Sequence, residues 1–341
     1  MCSFPVDTER RHASVRLREE PSRFDVLLQR KWKEAETSGV LRYALPDLRT
    51  KKLPGPIGFV AQLNLKRGIE RRAPAHITSL SQKFDKGLFN FTKVKPDEVL
   101  FEVVEEKDSG TLMDENRHYV IANVSPLEFC NILLVPRLGS CQPQVITLDS
   151  FILAMKLILA SSQWAFRIGF NSLCAFASVN HLHYHGYYVN RELPCEKWPV
   201  AHFVGPCYEL KSYPGRGFVF FLDDSIESLA RSVFALVDLL HRDNIAHNLM
   251  MTRGLDSSAS VDADHLVLRI IVWPRKSSLG AKQPMACNVA VCELAGHLPI
   301  YNEDDYVTMT DTHASRMLKD TALADDEYEF LKKRIKVIFK N

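Results

Sequence analysis

Residues 180–189 read NHLHYHGYYV, with His181, His183 and His185 at every second position. Leu182, Tyr184, Tyr187, Tyr188 and Val189 lie among and after them. Alternation is the period of a β-strand, whose successive side chains point to opposite faces. The spacing predicts a half-buried strand with three imidazoles on one face, each about 6.5–7 Å along from the last. Leu182 and Tyr184 then turn into the core. Three uses of the histidine face are open. The first is an exposed strand that merely carries histidine. The second is a metal site, since neutral imidazole is the commonest metal ligand and zinc would take a further position from water or another side chain. The third is nucleotidyl transfer. There an unprotonated ring nitrogen attacks the α-phosphorus of a nucleotide, and an acceptor displaces the resulting phosphoramidate. The upstream stretch GFNSLCAFAS favours the third use. Its Asn171 and Ser178 suit phosphate and ribose oxygens better than a metal, although each taken singly also fits a turn or a strand end.

The 341 residues suffice for one large domain or two ordinary ones with a sizeable core. Lys plus Arg number 43 against 41 Asp plus Glu, a net charge of +2. That balance argues against a general nucleic-acid binder, which usually carries a basic excess, and leaves room for a local phosphate pocket. None of the eight cysteines forms a C-x-x-C pair. With no signal-peptide stretch at the N-terminus and no run long enough to span a membrane, they read as reduced thiols in a cytosolic or nuclear setting, the cytoplasm being the expected location.

Residues 1–21 are polar, charged and aperiodic, and read as a disordered tail. SRFDVLLQRKWKEAETSG reads as a helix capped by Ser22 and ended by Gly39. A short strand and the basic cluster Lys66, Arg67, Arg71 and Arg72 follow; the cluster is either a solvated loop or a phosphate contact. EVLFEVVEE, HYVIANVS, NILLVPR and AFRIGFNSL read as strands, and ITLDSFILAMKLILASS as a buried helix. Residues 190–215, with four prolines, read as loop. In the second part RGFVFFL, IAHNLMMTRG, HLVLRIIVWPR and NVAVCELAGHLPIY read as strands. The segments at 223–244 and 325–339 read as amphipathic helices, the first with an Asp224/Glu227 capping box. Both parts run helix, strand containing Asn, strand. This points to a diverged duplication, with the tail at 1–21, a catalytic half at 22–200 that includes an N-terminal extension, and a second half at 201–341 lacking the histidines.

ASVNHLHYHGYY resembles the histidine-triad superfamily in its galactose-1-phosphate uridylyltransferase-like branch, and within it the GDP-D-glucose phosphorylases, relatives of plant GDP-L-galactose phosphorylase. Further stretches carry the resemblance in order: FVAQLNLKRGIERR, FNFTKVKPDEVLFE, NVSPLEF, LLVPR, RIGFNSL, IAHNLMMTRG and NVAVCELAGHLP. Together they reach from about residue 24 to 310. The resemblance implies an α+β fold, an antiparallel sheet with flanking helices built from two diverged halves. It implies phosphorolysis of GDP-D-glucose by inorganic phosphate to GDP and D-glucose 1-phosphate, with no cofactor or metal, clearing a GDP-glucose by-product. His183 would be the nucleophile carrying GMP, His181 would hold its geometry, and His185 would contact the transferred phosphate or leaving group. Asn171 and Ser178 match phosphate-binding positions, Asn123 a ribose position, and Phe91 and Val94 lie near the base-pocket positions. Arg67, Arg71, Arg72, Lys93 and Arg275 are the cationic candidates for phosphate, each also readable as solvated surface. A homodimer is the implied assembly, with no nucleic-acid or membrane partner. One stretch departs from the family pattern: PLEFCNILL places Cys130 and Asn131 where the family has Gly and His. That departure leaves a catalytically weak guanine-nucleotide binder open, and a hydrolase of the same superfamily, with water as acceptor and GMP as product, is a separate alternative.

Overall fold

The computed structural model describes all residues except 1, 7–19, 46–47, 71–74, 106–116, 224, 258–265, 280–287 and 341. Its centre is an eleven-stranded sheet. The first part of the chain supplies β1 (Ser3–Val6), β4 (Val99–Glu105), β5 (His118–Ala122), β6 (Ile132–Val135), β7 (Phe166–Asn171) and β8 (Tyr184–Tyr188). The second supplies β9 (Val200–Val204), β10 (Cys207–Leu210), β11 (Phe218–Phe221), β12 (Ala246–Gly254) and β13 (Val267–Arg275). The order across the sheet is β1-β4-β5-β6-β8-β7-β12-β13-β11-β10-β9. Every pairing is antiparallel except β1 with β4. The two parts thus contribute adjoining blocks of strands that meet at one seam, β7 against β12, where Asn171 and Asn248 stand opposite each other.

Both faces of the sheet are covered, and the strand residues sort by parity as a pleated strand requires. Leu268, Ile270 and Val272 of β13 enter one core, while Ile271 and Trp273 enter the other. Over the first face lie α1 (Arg23–Thr37), α3 (Leu148–Ala160), α5 (Ile226–Arg242) and α9 (Asp325–Ile338). Over the second lies a small sheet of β2 (Thr50–Lys52), β3 (Val60–Leu63) and β14 (His297–Ile300), with α6 (Val291–Ala295), α7 (Glu303–Thr308) and α8 (Asp311–Thr321). A six-residue helix, α2 (Leu65–Glu70), follows β3, and α4 (Pro194–Lys197) follows β8. Helix α1 starts where expected: Ser22 accepts from the Asp25 amide, and the Asp25 carboxylate accepts from the Ser22 amide. That carboxylate is buried and also accepts from Ser161, Ser162 and Tyr188, so α1, α3 and β8 converge on it.

Several expectations need correction. The tail reading does not hold for Ser3–Val6, which add a parallel edge strand to β4; 7–19 lie outside the described residues. The 190–215 segment forms α4, β9 and β10 rather than loop. NVAVCELAGHLPIY is not one strand: its middle is α6, ended by Gly296 at φ +98°, and only His297–Ile300 is extended. The cap of α5 is Ser225, which accepts from the Ser228 amide; Asp224 lies outside the described residues. No helix of the described residues is long and apolar enough to cross a membrane.

Candidate active site

The triad segment is also corrected in detail. Only His185 lies in β8 proper. His181 and His183 precede it in an extended run held by the preceding loop: the Leu182 amide donates to the Gln142 carbonyl, and the His183 amide donates to Gln144 Oε1 (2.9 Å). The parity survives, because Leu182 and Tyr184 enter the first core and Tyr187 the second. The run is not half-buried: His181 and His183 are as buried as Leu182 and Tyr184.

The hydrogen bonds assign the tautomers. The Phe91 amide donates to His181 Nδ1 (3.1 Å), and a backbone N–H can only donate, so Nδ1 is bare and the neutral ring carries its proton on Nε2. Burial holds the His181 pKa down to about 4, with the Leu138 carbonyl opposing weakly, so the ring is neutral near pH 7. His183 Nδ1 lies 2.7 Å from the His181 carbonyl. A carbonyl can only accept, so Nδ1 bears the proton, and in the neutral ring Nε2 has the lone pair. The two rings face the Phe91 side chain, 5.5 Å and 5.0 Å between centroids, and the His185 ring stands edge-on to His183 at 5.1 Å.

His183 lines a cleft of about 1090 Å³, its open mouth included. Of the residues named from sequence, eight line it: His183, His185, Asn171, Ser178, Asn123, Phe91, Val94 and Arg67. His181 stands behind Phe91. Lys93 does not belong to the cleft. It is exposed and gives its ammonium to the Gly87 and Leu88 carbonyls. Arg275 is buried and donates to Asn248 Oδ1 and the Val289 carbonyl, so it stands behind the cleft wall, linked to Asn171 through Asn248. Arg67 lies within α2, half-buried, and donates to the Ser125 carbonyl. Arg71 and Arg72 lie outside the described residues. Among the described residues no set of three or more His, Cys, Asp or Glu converges as metal ligands.

Three residues escaped the sequence reading. Gln144, buried, grips the backbone around His183: its Oε1 takes the His183 amide, and its Nε2 donates to the carbonyls of His183 (3.1 Å) and Asn171 (3.0 Å). Asn248 donates to Asn171 Oδ1 (2.6 Å), which also accepts from the Val291 amide (3.0 Å). Because the Val291 amide can only donate, the Asn171 amide group is fixed with Oδ1 toward α6, which leaves Nδ2 as its donor for the cleft. Asn288 also lines the cleft, buried, and neither of its amide atoms has a hydrogen-bond partner among the described residues.

A positioned imidazole, an amide donor aimed into the cleft and an apolar recess beside them are what nucleotidyl transfer needs. Comparison with known proteins agrees. Family models described as "GDPGP1-like, N-terminal domain" and "GDPGP1-like, C-terminal domain" match residues 23–187 and 205–341. The chain belongs to the GDPGP1-like family. Among curated relatives, GDP-D-glucose phosphorylase 1 of Danio rerio is 43% identical over 320 residues, spanning 92% of this chain and 91% of its own. The Homo sapiens protein of that name is 42% identical, spanning 90% of this chain and 82% of its own. GDP-L-galactose phosphorylase 1 of Arabidopsis thaliana is 32% identical, spanning 87% and 70%. The solved structure of yeast Ap4A phosphorylase Apa2 with AMP shares the fold, with a TM-score of 0.59 at 13% identity over 88% of this chain and 96% of that one.

The Cys130–Asn131 pair, where the resemblance leads one to expect Gly and His, has a structural account. Cys130 adopts φ +52°, the left-handed conformation that glycine takes without strain, and its side chain is buried. Asn131 is fully buried and acts as a brace. Its Oδ1 accepts from Asn123 Nδ2 (2.9 Å) and the Leu127 amide (3.1 Å), and its Nδ2 donates to the Gly186 carbonyl (3.2 Å). Asn131 thus fixes Asn123 and the following loop against β8.

Proposed function

We propose that this protein cleaves GDP-D-glucose with inorganic phosphate, giving GDP and D-glucose 1-phosphate, and that His183 carries the guanylyl group between the two half-reactions. The observation that carries the reading is the His183 tautomer: Nδ1–H is spent on the His181 carbonyl, so Nε2 keeps its lone pair in the cleft. In the first displacement Nε2 attacks the α-phosphorus and the bond to the bridging oxygen breaks, releasing glucose 1-phosphate. In the second, a phosphate oxygen attacks the same phosphorus, the P–N bond breaks and GDP leaves.

The chain's residues divide the work. Nδ1–H donation to a fixed carbonyl stabilises the charge that develops on the imidazole as Nε2 forms its bond. The Asn171 Nδ2 and Arg67 supply donors to phosphate oxygens, with Ser178 beside them. His185, whose ring is in contact with that of His183, assists the departing oxygen. Asn123, braced by Asn131, serves the ribose. Phe91 and Val94 take the base. The protein works in the cytoplasm in this reading, as a homodimer, removing GDP-glucose.

The test is product analysis with GDP-D-glucose, with and without phosphate and in the presence of chelator. GDP and glucose 1-phosphate formed only with phosphate, and lost in His183→Ala, are expected. GMP formed without phosphate would make the protein a hydrolase. Binding without turnover would make it a guanine-nucleotide binder, and loss of activity to chelator would restore the metal reading.

A further inference from the structure

Asn288 differs from the other buried amides around the cleft. It is 5% exposed and lines the cleft, yet neither Oδ1 nor Nδ2 has a hydrogen-bond partner among the described residues. Buried side-chain amides are nearly always paired, and one left unpaired costs the free protein stability. Gln144, Asn131 and Asn248 obey that rule and spend their amides on the fold. The backbone holds Asn288 in place: its carbonyl accepts from the Ala290 amide (2.7 Å), and Arg275 donates to the carbonyl of the next residue, Val289. The side chain is therefore positioned by the fold but not used by it.

The sheet order says which part of a ligand it meets. The apolar recess is built by Phe91 and Val179 with Ile121 of β5 and Leu133 of β6, on one side of β8. Asn288 belongs to the opposite side, where β7 and β12 lie. Three residues after it, Val291 packs on Gly169 of β7 and gives its amide to Asn171. Arg275, which holds Val289, also stacks on Phe176 of the cleft wall at 5.0 Å. With the base in the recess and the α-phosphorus at His183, Asn288 is on the wall left to the leaving group.

We propose that Asn288 binds the hexose of the leaving sugar phosphate, its amide pairing with two neighbouring hydroxyls. This deepens the GDP-sugar reading above and rests on it for the ligand. The chemistry of the amide selects the partner. The phosphates of a GDP-sugar have no proton to donate, so they would satisfy Nδ2 and leave Oδ1 buried and bare. Each sugar hydroxyl both donates and accepts, so a pair of them satisfies both atoms. Guanine also offers a donor beside an acceptor, but the recess that takes the base lies across β8. A site that pairs particular hydroxyls rejects a hexose that turns one of them away, because the amide is then left unpaired. Asn288 is thus a specificity-determining residue for the sugar.

Calorimetric binding of GDP-D-glucose and of GDP tests this in His183→Ala, whose missing nucleophile prevents turnover. Adding Asn288→Ala should weaken GDP-D-glucose about tenfold, the value of two neutral hydrogen bonds, and leave GDP within about twofold. Asn288→Ala alone should melt no lower than the wild-type protein, because no described residue pairs with the amide it removes. A marked fall in Tm, or failure to fold, would make the residue structural and overturn the assignment. Equal losses for the two ligands, as expected of a residue that reads guanine or phosphate, would also overturn it, as would no loss for either. If His183→Ala with Asn288 intact binds neither ligand, the GDP-sugar reading itself falls and takes the assignment with it.

Discussion

Gln144 offers the sharpest test of how the nucleophile is held. It lies 39 positions before His183 and makes three hydrogen bonds to the backbone of His183 and Asn171. Gln144→Ala would leave one buried amide and two buried carbonyls without these partners. At about 1 kcal/mol or more for each, the loss comes to about 3 kcal/mol, a fall in Tm of roughly 5 °C for a chain of this size. The larger effect falls on chemistry. The same bonds fix His183 relative to Asn171, and misplacing a reacting atom by about 1 Å can cost about 100-fold in rate. Gln144→Ala should therefore lower kcat about 100-fold with a modest change in KM. Gln144→Glu separates this from packing. It is isosteric and keeps an acceptor for the His183 amide, but it sets an oxygen against two carbonyls. If the hydrogen bonds matter, it should be as damaging as alanine. Steady-state phosphorolysis together with thermal melts reads both effects, and a Gln144→Glu enzyme with near wild-type kcat would refute the reasoning.

Asn248→Ala should cut kcat/KM about tenfold, because Asn171 then keeps only the Val291 amide to orient it; unchanged kinetics in a folded variant would remove Asn248 from the positioning of phosphate. Stability should decline on mild acidification. Burial depresses His181 and His247 to about 4 and His297, helped by Arg167, to about 3. Their folded pKa values lie below those of the unfolded chain, so the stability present above about pH 6.5 is lost as pH falls toward 4. Three such groups give a slope of up to ~4 kcal/mol per pH unit, and Tm values that stay flat from pH 7 to 4.5 would contradict it. Cys130→Gly should leave Tm within a few degrees of wild type, relief of the left-handed strain offsetting the lost thiol contacts. Cys130→Val, β-branched at φ +52°, should melt well below it.

The sheet was legible where periodicity was strong. β4 to β7 and β11 to β13 fall inside the runs read from sequence, since their β-branched and apolar residues fill cores on both faces. β9 and β10 were not, because Pro199 and Pro206 argue against strands; both stand outside them, one before β9 and one in the turn between the two. α6 is five residues long and buried throughout, too short to display a helical period. Of the site, the histidines, Asn171, Ser178, Asn123 and the Phe91–Val94 turn were visible in motifs. Gln144, Asn248 and Asn288 were not named, because their meaning depends on which distant backbone or side chain the fold sets opposite them. Lys93 was misjudged for the same reason: a lysine beside the Phe91 turn can reach carbonyls of its own loop.

The central claim is that His183 Nε2 takes the guanylyl group. The direct measurement is to mix the protein with GDP-D-glucose in the absence of phosphate, quench, and map the modified peptide by mass spectrometry. The account predicts one GMP per chain on His183, discharged to GDP when phosphate is added before the quench and not formed in His183→Ala. GDP production in an enzyme that never accumulates the adduct, and in which His183→Ala retains activity, would contradict it.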